Sequence, residues 1–512
     1  MFLQKLVSKD KIKLIHFVLV ISGLNFLLFH FPFFSFVFNN LDYKSFTGIS
    51  IVISLVVLML VLNAFVFYLI YSASTVVGKY LTVLFFLVNS VAVYFVNSYN
   101  VIIDESMVGN VLNTNYAESS SFFSFKLILY LVFFGILPSI FVIKATIVKD
   151  RLKKFLIKAS LTLVFIAVFI FANASNWLWI DKYSKQLGGL AMPWSYTVNL
   201  CRFYIHKAQE NKEEILLPNA TITNNEKSVV VLVIGESARS ENFSLYGYKK
   251  NTNPYLSKTE NLHTFKATSC ATYTTAGVKC ILEHTESDDL YEILPNYLYR
   301  NNVDVIWRTT NWGEPPVHIK NYQTKEMLDK DCKGDGCNYD EVLITNLKQQ
   351  ILASTKSKIL IVLHTSTSHG PTYSKKYPAN FETFKPVCNS VELGNCSQTE
   401  LVNAYDNTIV YTDYILHRII EDLQQLKDYK SAMLFVSDHG ESLGEKNLYM
   451  HGLPMSIAPN EQFDIPFIVW TSKDSKQLKP INIASQHHVF HSVLNFLDIK
   501  SPVYNEQLSI FK

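Results

Sequence analysis

An aspartate and a histidine follow one of the most apolar stretches of this chain, and together they could bind a metal ion. Residues 432–436 read Ala-Met-Leu-Phe-Val, a run typical of a buried strand, and Asp438 and His439 come shortly after it. Ligands bind outside the carboxyl ends of strands in open α/β sheets, and a carboxylate with an imidazole suits Zn²⁺. A strand that simply runs into a polar turn would contain the same residues, so the metal hypothesis depends on further partners.

A second strand-like run also ends in an acidic residue. Residues 229–234 are unbroken Val, Leu and Ile, the pattern of a parallel strand buried on both faces, and Glu236 follows. Glu236 and Asp438 therefore occupy equivalent positions, each at the carboxyl end of its strand. We expect both carboxylates to belong to one site.

A hydroxyl nucleophile is available between these strands. Thr274 lies in residues 268–280, before a helical pattern. Free N–H groups and the positive end of the dipole at a helix start receive phosphate oxygens, and a bound metal can turn a threonine hydroxyl into a nucleophile. Thr272 and Thr275 are alternatives that spacing leaves open, and each of the three could be an ordinary helix cap.

Two His-Gly corners add candidate catalytic groups. His369 follows the strand-like residues 359–364, and His451 lies shortly after the Asp438 motif. Either histidine alone is more often a structural hydrogen-bonding residue. In a chain that already offers Glu236, Thr274 and Asp438, they point to a shared active site.

The elements that must position these residues alternate between strand and helix. Further strands are predicted at residues 303–307 and 467–471, and a long helix at residues 399–426. This alternation indicates an α/β layered domain at residues 229–512, of the kind that carries its site at one edge of the sheet.

The front of the chain predicts a membrane domain. Five apolar segments, each long enough for the roughly 20 residues of a membrane-crossing helix, precede residue 177. They cover residues 14–38, 46–71, 77–96, 122–142 and 155–172. We therefore expect a five-helix transmembrane domain at residues 1–175, with interfacial helices and a linker at residues 176–228.

Charge and cysteines predict which side the α/β domain occupies. Residues 1–204 carry 16 Lys and Arg against 7 Asp and Glu, and residues 205–512 carry 30 against 36. The basic residues flank the N-terminus and the loop after the fourth segment, which places those flanks in the cytoplasm and the α/β domain outside. The back half also holds six cysteines in three close pairs, which favours short local disulfides and an oxidising compartment. They are Cys270 and Cys280, Cys332 and Cys337, and Cys388 and Cys396.

With these motifs assembled, the chain resembles the membrane-bound phosphoethanolamine transferases of the alkaline phosphatase and sulfatase superfamily. The likeness covers nearly the whole chain. The motifs that carry it are Ile-Gly-Glu-Ser-Ala-Arg at residues 234–239, the Cys270 to Cys280 segment, Ser-His-Gly-Pro at 368–371, Asn-Ala-Tyr-Asp-Asn at 403–407, Ser-Asp-His-Gly-Glu-Ser-Leu-Gly-Glu at 437–445 and His-Gly-Leu-Pro at 451–454.

The resemblance implies a set of site residues. Zn²⁺ is expected on Glu236, Thr274, Asp438 and His439, with Thr274 carrying the transferred group. The remaining implied residues are His369 and His451, which would contact the transferred group, a leaving oxygen or a second zinc ion, and Asn311, which would touch substrate.

Three departures from the family pattern concern the substrates rather than the metal. Ala271 stands where the family usually has Gly, and Lys279 where it has Pro. A substrate-side Lys expected shortly after Asn311 is replaced by Glu-Pro-Pro at residues 314–316. These changes leave the chemistry intact, but they put the contacts to acceptor and head group in question.

The expected function is zinc-dependent transfer of phosphoethanolamine from phosphatidylethanolamine to lipid A or another envelope glycan. We expect a monomer in a bacterial inner membrane, with its catalytic domain in the periplasm and with no nucleic-acid partner. Two alternatives are a phosphoglycerol transferase of the same superfamily and a non-catalytic membrane-anchored scaffold. The acceptor and the number of zinc ions stay open.

Overall fold

The computed structural model describes residues 11–114, 119–120, 122–173, 177–210, 214–390, 393–473 and 475–512. It divides into two compact units. The first is Met1–Gly109 with Phe123–Tyr204, and the second is Asn110–Phe122 with Ile205–Lys512. The predicted boundary at residues 175 and 176 lies outside the described residues.

The first unit is helical and carries the predicted membrane segments. Four helices, Phe46–Ala73, Thr75–Tyr99, Phe125–Lys144 and Leu152–Ala172, are each long and apolar enough to cross a membrane. Large apolar side chains cover their outer surfaces, with Phe46 88% exposed and Phe171 86% exposed. Such exposure is expected where the surrounding medium is lipid. The remaining helices described before residue 211 are Glu105–Asn113, Trp177–Lys182, Ser184–Leu190 and Trp194–Glu210.

The first predicted segment differs from the expectation of one straight helix. It forms two helices, Leu14–Phe29 and Phe31–Asn40, bent by 61°. Pro32 lies in the first turn of the second helix. Proline lacks an N–H group and its ring clashes with the preceding turn, so a helix that runs into it ends and a new one starts. The unit therefore has four candidate spans, or five when the bent pair counts as one.

The second unit is built on an eight-stranded sheet. In chain order its strands are β1 Ser228–Gly235, β2 Leu262–Thr268, β3 Asp304–Thr309, β4 Asn321–Thr324, β5 Lys358–His364, β6 Lys430–Ser437, β7 Asp464–Thr471 and β8 Ala484–Ser485. The spatial order is β8-β2-β7-β6-β1-β5-β3-β4. Strand β7 is antiparallel to both of its neighbours, and the other pairings are parallel.

The sheet is packed on both faces, which explains its continuous apolar sequence. Every residue of the central strand β1 is buried. One face packs against helices Thr274–Leu282, Leu294–Arg300 and His488–Phe496 through an apolar cluster. The long helix Gln398–Gln424 packs on the other side and starts with a complete capping box formed by Ser397 and Glu400. Short helices Lys325–Leu328 and Leu347–Leu352 complete the described α-helices of this unit.

Three disulfides join the cysteine pairs that the sequence indicates. They are Cys270–Cys280, Cys332–Cys337 and Cys388–Cys396. Each closes a short loop, so the prediction of local bridges is confirmed.

Candidate metal centre and active site

The two predicted carboxylates meet because their strands are neighbours in register. Gly235 of β1 pairs with Ser437 of β6, so the next residue of each strand, Glu236 and Asp438, lies at the same sheet edge. The Asp438 N–H donates to the Gly235 carbonyl oxygen at 2.9 Å, which holds the two strand ends together. Both carboxylates are buried, at 2% and 0% exposure.

Thr274 enters this corner from the start of its helix. Its Oγ1 lies 3.4 Å from Glu236 Oε2 and 3.3 Å from His439 Nε2. The helix comes this close because residue 277 is Gly, whose absent Cβ would otherwise lie 2.2 Å from the Asp438 carbonyl oxygen. The rival Thr272 instead donates its hydroxyl to the Leu453 carbonyl oxygen.

The donor atoms are spaced as the corners of a zinc site. His439 Nε2 lies 3.5 Å from Glu236 Oε1 and 3.4 Å from Asp438 Oδ2, and Thr274 completes the group at the distances above. Donors about 2.0 Å from a tetrahedral Zn²⁺ lie about 3.3 Å from one another. Four distances among the candidate donors of Glu236, Thr274, Asp438 and His439 therefore lie between 3.3 and 3.5 Å, close to the spacing that a single zinc ion requires.

Hydrogen bonds orient these side chains toward the common point. His439 Nδ1 donates to the Gly440 carbonyl oxygen at 2.8 Å, so its Nε2 faces the carboxylates with a lone pair. Asp438 Oδ1 accepts the N–H groups of Ser237 and His439 at 3.0 and 2.7 Å. Asp438 Oδ2 is buried without a hydrogen-bond donor, and an orphaned carboxylate oxygen is what a cation site offers.

Two buried carboxylates side by side need positive charge. Burial followed by the neighbouring Glu236 raises the pKa of Asp438 well above its usual range. Burial also acts to raise the pKa of Glu236, but the nearby histidines 369, 439 and 451 outweigh it and lower that pKa. The pKa values of the two carboxyl groups therefore shift in opposite directions, because the histidines stabilise the charge of Glu236 while Glu236 opposes that of Asp438, and a divalent cation would stabilise the charge of both.

His451 and His369 line the same corner. Glu236, His439 and His451 offer ligand atoms within 4.8 Å of one another, a second grouping that could hold a metal ion. The ring of His451 lies 4.1 Å from that of His439 and 5.4 Å from that of His369, measured between centroids. His369 Nδ1 donates to the Gly370 carbonyl oxygen at 2.6 Å. These positions are compatible with one bound metal ion or with two.

Asn311 contacts a predicted ligand. Its Nδ2 donates to Glu236 Oε2 at 2.6 Å and to the Thr365 carbonyl oxygen at 2.9 Å. Gly313, two residues on, has a φ of +99°, and a Cβ at this position would lie 3.3 Å from the methyl groups of Thr274 and Thr275. The predicted substrate contact of Asn311 stays a prediction, whereas its contact with Glu236 is a positioning one.

Several supporting residues were missed at the sequence level. Ser237 has a φ of +51° and donates from Oγ to Glu236 Oε1 at 2.7 Å. Glu441 accepts from His451 Nδ1 at 2.9 Å, and Gln486 donates to the carbonyl oxygens of Ser437 and Asp438. Glu441 lies inside the Asp-His-Gly-Glu motif, which is a usable signal, but Gln486 comes from a distant helix start and has none.

Comparison with known proteins first defines the class of the second unit. A family model described as "Sulfatase" matches residues 228–499. The second unit is therefore a sulfatase-like α/β domain, as the sequence predicted. A model described as "Phosphoethanolamine transferase EptA/EptB" matches residues 58–208.

Whole-chain relatives then define the family. The chain is 42% identical over 504 residues to phosphoethanolamine transferase EptA of Helicobacter pylori, covering 95% of this chain and 94% of that protein. It resembles the structure of the integral membrane protein lipooligosaccharide phosphoethanolamine transferase A of Neisseria meningitidis, with a TM-score of 0.88, 26% identity and coverage of 96% and 97%. The C-terminal periplasmic domain of phosphoethanolamine transferase EptC from Campylobacter jejuni matches with a TM-score of 0.50, 35% identity and coverage of 57% and 97%. The protein belongs to the phosphoethanolamine transferase family, which confirms the resemblance seen in the sequence.

Proposed function

We propose that this protein transfers phosphoethanolamine from phosphatidylethanolamine to lipid A or another envelope glycan, with Thr274 as the nucleophile. The observation that carries the proposal is the position of the Thr274 hydroxyl, 3.4 Å from Glu236 and 3.3 Å from His439 at the start of a helix. A lone hydroxyl is a weak nucleophile, and this environment supplies both charge and orientation.

Glu236, Thr274, Asp438 and His439 are the residues that would hold Zn²⁺. When bound there, zinc supplies positive charge that lowers the pKa of the Thr274 hydroxyl and neutralises phosphoryl oxygens. His451 and His369 remain available for the transferred group or for a second ion. The spacing of the donor atoms and the orphaned Asp438 oxygen support this assignment.

In the first step, Thr274 Oγ1 attacks the phosphorus of the donor lipid. Oγ1 loses its proton to solvent and forms a bond to phosphorus, the bond from phosphorus to the diacylglycerol oxygen breaks, and that oxygen takes up a proton. His451 is the proposed donor of this proton, because Glu441 holds its Nδ1 at 2.9 Å and leaves its Nε2 for the reacting groups. The free N–H groups at the helix start receive phosphoryl oxygens.

In the second step, an acceptor oxygen attacks the phosphorus of the Thr274 ester. The new bond to the acceptor forms as the bond to Oγ1 breaks, and the threonine hydroxyl is restored with a proton. Phosphoryl transfer depends chiefly on in-line positioning and charge neutralisation, which the buried histidines and the helix start provide.

The membrane unit fits a lipid donor. Phosphatidylethanolamine is held in a bilayer, so the enzyme must be held there as well. We propose an inner-membrane monomer with its catalytic unit in the periplasm, where disulfides persist. The lipooligosaccharide named for the Neisseria protein supports a lipid A acceptor.

Thr274→Ala tests the nucleophile, with Thr275→Ala as a matched control one residue away. We expect Thr274→Ala to abolish transfer of a labelled head group, because no covalent ester can form, while the control keeps its activity. Mass spectrometry of the peptide that contains Thr274 should show phosphoethanolamine in the wild type. A phosphoglycerol adduct there would favour the alternative transferase, and near-normal activity of Thr274→Ala would rule out this nucleophile.

The acceptor requires a cellular experiment. Lipid A spectra from cells with and without the gene should differ by one phosphoethanolamine group, and the added cation should lower sensitivity to polymyxins. Unchanged lipid A spectra with active enzyme would point to another envelope glycan.

A further inference from the structure

A buried tyrosine lies two hydrogen bonds away from His451. Tyr373 is 1% exposed and comes shortly after the Ser-His-Gly-Pro corner at residues 368–371. Its hydroxyl donates to Glu441 Oε1 at 2.8 Å. The other oxygen of the same carboxylate, Oε2, accepts from His451 Nδ1 at 2.9 Å. Tyr373, Glu441 and His451 therefore form a chain of hydrogen bonds that ends at the proposed reaction centre.

A short antiparallel ladder explains why Glu441 and His451 meet. Two strands of two residues each, Ser442–Leu443 and Tyr449–Met450, pair with one another. Glu441 comes just before the first strand and His451 just after the second, so the ladder places them side by side. Met450 has a φ of +67°, which residues with a side chain rarely adopt, and such strained backbone is concentrated at functional sites.

The Glu441 carboxylate depends on the tyrosine for its orientation. Glu441 is fully buried, and among the described residues its side-chain oxygens accept hydrogen bonds from Tyr373 and His451. The guanidinium of Arg239 lies close by, but it donates to the backbone oxygen of Glu441 and to Glu445. Without the tyrosine hydroxyl, one oxygen of this buried carboxylate would have to turn or stay unsatisfied. The orientation of the carboxylate in turn fixes the ring that donates to it.

Tyr373 is well suited to hold a carboxylate in place. Burial, followed by the neighbouring Glu441, raises the pKa of Tyr373 well above its usual range, so its hydroxyl stays a donor. The ring of Tyr373 packs edge to face on that of Tyr405, with 5.4 Å between centroids. Met450 Sδ lies 4.0 Å from the Tyr373 hydroxyl oxygen. The hydroxyl is therefore held at one position by packing on several sides.

Resting on the proposed function, we propose that Tyr373 is a positioning residue for the first transfer step. Through Glu441 it fixes the His451 ring with Nε2 toward the oxygen that leaves phosphorus. As the bond from phosphorus to the diacylglycerol oxygen breaks, that oxygen takes the Nε2 proton, and His451 regains a proton from water. Tyr373 is buried behind Glu441, so its effect on the reaction passes through His451.

The leaving oxygen decides how much the position of His451 matters. The alkoxide of diacylglycerol is a poor leaving group and needs a proton as it departs, whereas a nitrophenolate departs at neutral pH as a stable anion. A donor that carries nitrophenol in place of diacylglycerol therefore bypasses the acid. A general loss of packing around the site would instead slow the reaction with both donors.

The test compares two donors and two variants of the full-length protein in detergent. The donors are phosphatidylethanolamine and 4-nitrophenyl phosphoethanolamine. Tyr373→Phe removes the hydroxyl of interest. Tyr377→Phe is the matched control, because this buried tyrosine lies on the same segment and its hydroxyl contacts Asn407 rather than Glu441. Mass spectrometry follows formation of the Thr274 adduct in a single turnover.

We expect Tyr373→Phe to form the adduct from saturating phosphatidylethanolamine about 10- to 100-fold more slowly than the wild type. General acid catalysis contributes roughly 100- to 10,000-fold, and here the acid is misplaced rather than removed. The phosphatidylethanolamine concentration that gives half the maximal rate should change little. The nitrophenyl donor should react as fast as with the wild type, and the control should match the wild type with both donors. Equal slowing with both donors, or no slowing relative to the control, would overturn the proposal.

His451→Gln provides a second readout that needs only the lipid donor. If Tyr373 acts through His451, adding Tyr373→Phe to His451→Gln should leave the rate of adduct formation unchanged. A further fall as large as that of Tyr373→Phe alone would contradict the proposal. If Tyr373→Phe does not fold, Glu441→Gln keeps the tyrosine and should show the same dependence on the donor.

The wild type separates this idea from the function on which it rests. A wild type that forms no Thr274 adduct from phosphatidylethanolamine contradicts the proposed function itself. A wild type that forms the adduct no faster than Tyr373→Phe does contradicts only the role of Tyr373.

Discussion

Each of the two units buries a polar cluster, and the clusters differ in how fully they are hydrogen-bonded. In the first unit, Asn89 donates to Asn25 at 2.9 Å and accepts from Tyr196 at 3.0 Å, and Asn25 donates to the Met192 carbonyl oxygen at 3.0 Å. In the second unit, Asp438 keeps one oxygen without a donor beside Glu236.

We infer from this difference that the first cluster is structural, and we use it to test whether the second is functional. Both asparagines are fully buried, as are Asp438 and His439. Burial alone therefore says little about function. A cluster of neutral amides that saturate one another stabilises helix packing, whereas a cluster of carboxylates with spare acceptor capacity costs stability until a cation arrives.

Among the variants that test this comparison, Asp438→Asn should have the largest effect on activity and stability. The change alters a proposed metal ligand, so we expect transfer to fall by more than the roughly 100-fold seen when only a supporting partner of a metal ligand is lost. The same change removes a carboxyl group whose ionisation is opposed by burial and by Glu236, so the metal-free protein should become more stable near neutral pH. Activity and chelator-treated thermal unfolding measure the two effects. A metal-free variant that is less stable than the wild type would mean that Asp438 is a structural residue.

Asn311→Ala should have the next largest effect. It removes the N–H group that fixes Glu236 Oε2, so zinc affinity should fall by about 10- to 100-fold. Competition with a chromogenic chelator measures this. Asn338→Ala is the control, because Asn338 lines the same cavity as Asn311 and is exposed. Equal zinc affinity in the two variants would show that the Asn311 contact does not support a metal ligand.

Asp413 lies between these two cases. It is a buried carboxylate, like Asp438, but both of its oxygens accept hydrogen bonds, as in the amide cluster. It accepts from Asn253 Nδ2 at 3.2 Å and from the N–H groups of Tyr255 and Leu256 at 2.8 and 3.3 Å. Burial raises its pKa to about 7 from an ordinary 3.8, although these donors oppose the shift. The folded protein therefore binds this proton more tightly than the unfolded chain does.

The sign of the linkage follows from that shift. The stability contributed by protonated Asp413 is complete below about pH 4 and is lost as the pH rises through 7. Asp413→Asn removes this titrating group. Between pH 5 and 7 the free energy of unfolding should therefore fall by about 2 kcal/mol less in the variant than in the wild type, at about 1.4 kcal/mol per pKa unit. Urea unfolding of residues 214–512 measures this, since a related periplasmic domain has been solved alone. Parallel pH profiles would contradict the raised pKa.

Much of this architecture could be predicted from the sequence because solvent exposure is recorded in hydrophobic patterns. The strands β1 and β6 are buried on both faces and read as unbroken apolar runs. Strands toward the two sides of the sheet carry a weaker signal: β2, next to the last strand on one side, alternates between buried and exposed residues, and the edge strand β4 is only partly buried. Neither was predicted. The bend at Pro32 was missed because hydropathy measures the length of an apolar run and not its direction.

The site was predictable to the extent that its residues follow strand ends. Glu236, Asp438 and His439 do so, and the register of a parallel sheet brings them together. Gln486 follows β8, but that strand has only two residues and forms no apolar run, and Asp340 follows none of the described strands. Their contacts with backbone or hydroxyl groups therefore had no signal in the sequence. The metal and transfer roles themselves stay predictions that the experiments above address.

Asn89→Leu should have the smallest effect on activity and stability, and it tests the asparagine cluster of the first unit. Leucine removes the bonds to Asn25 and Tyr196 and leaves their polar atoms without that partner. Interhelical hydrogen bonds in membranes contribute about 0.6 kcal/mol on average and up to about 1.7, so stability in detergent should fall by that order. Zinc affinity and the rate of Thr274 adduct formation in the assembled enzyme should change little, because a saturated cluster serves packing. A large loss of adduct formation without a loss of stability would instead show that this polar cluster takes part in function, and the contrast between the two clusters would then fail.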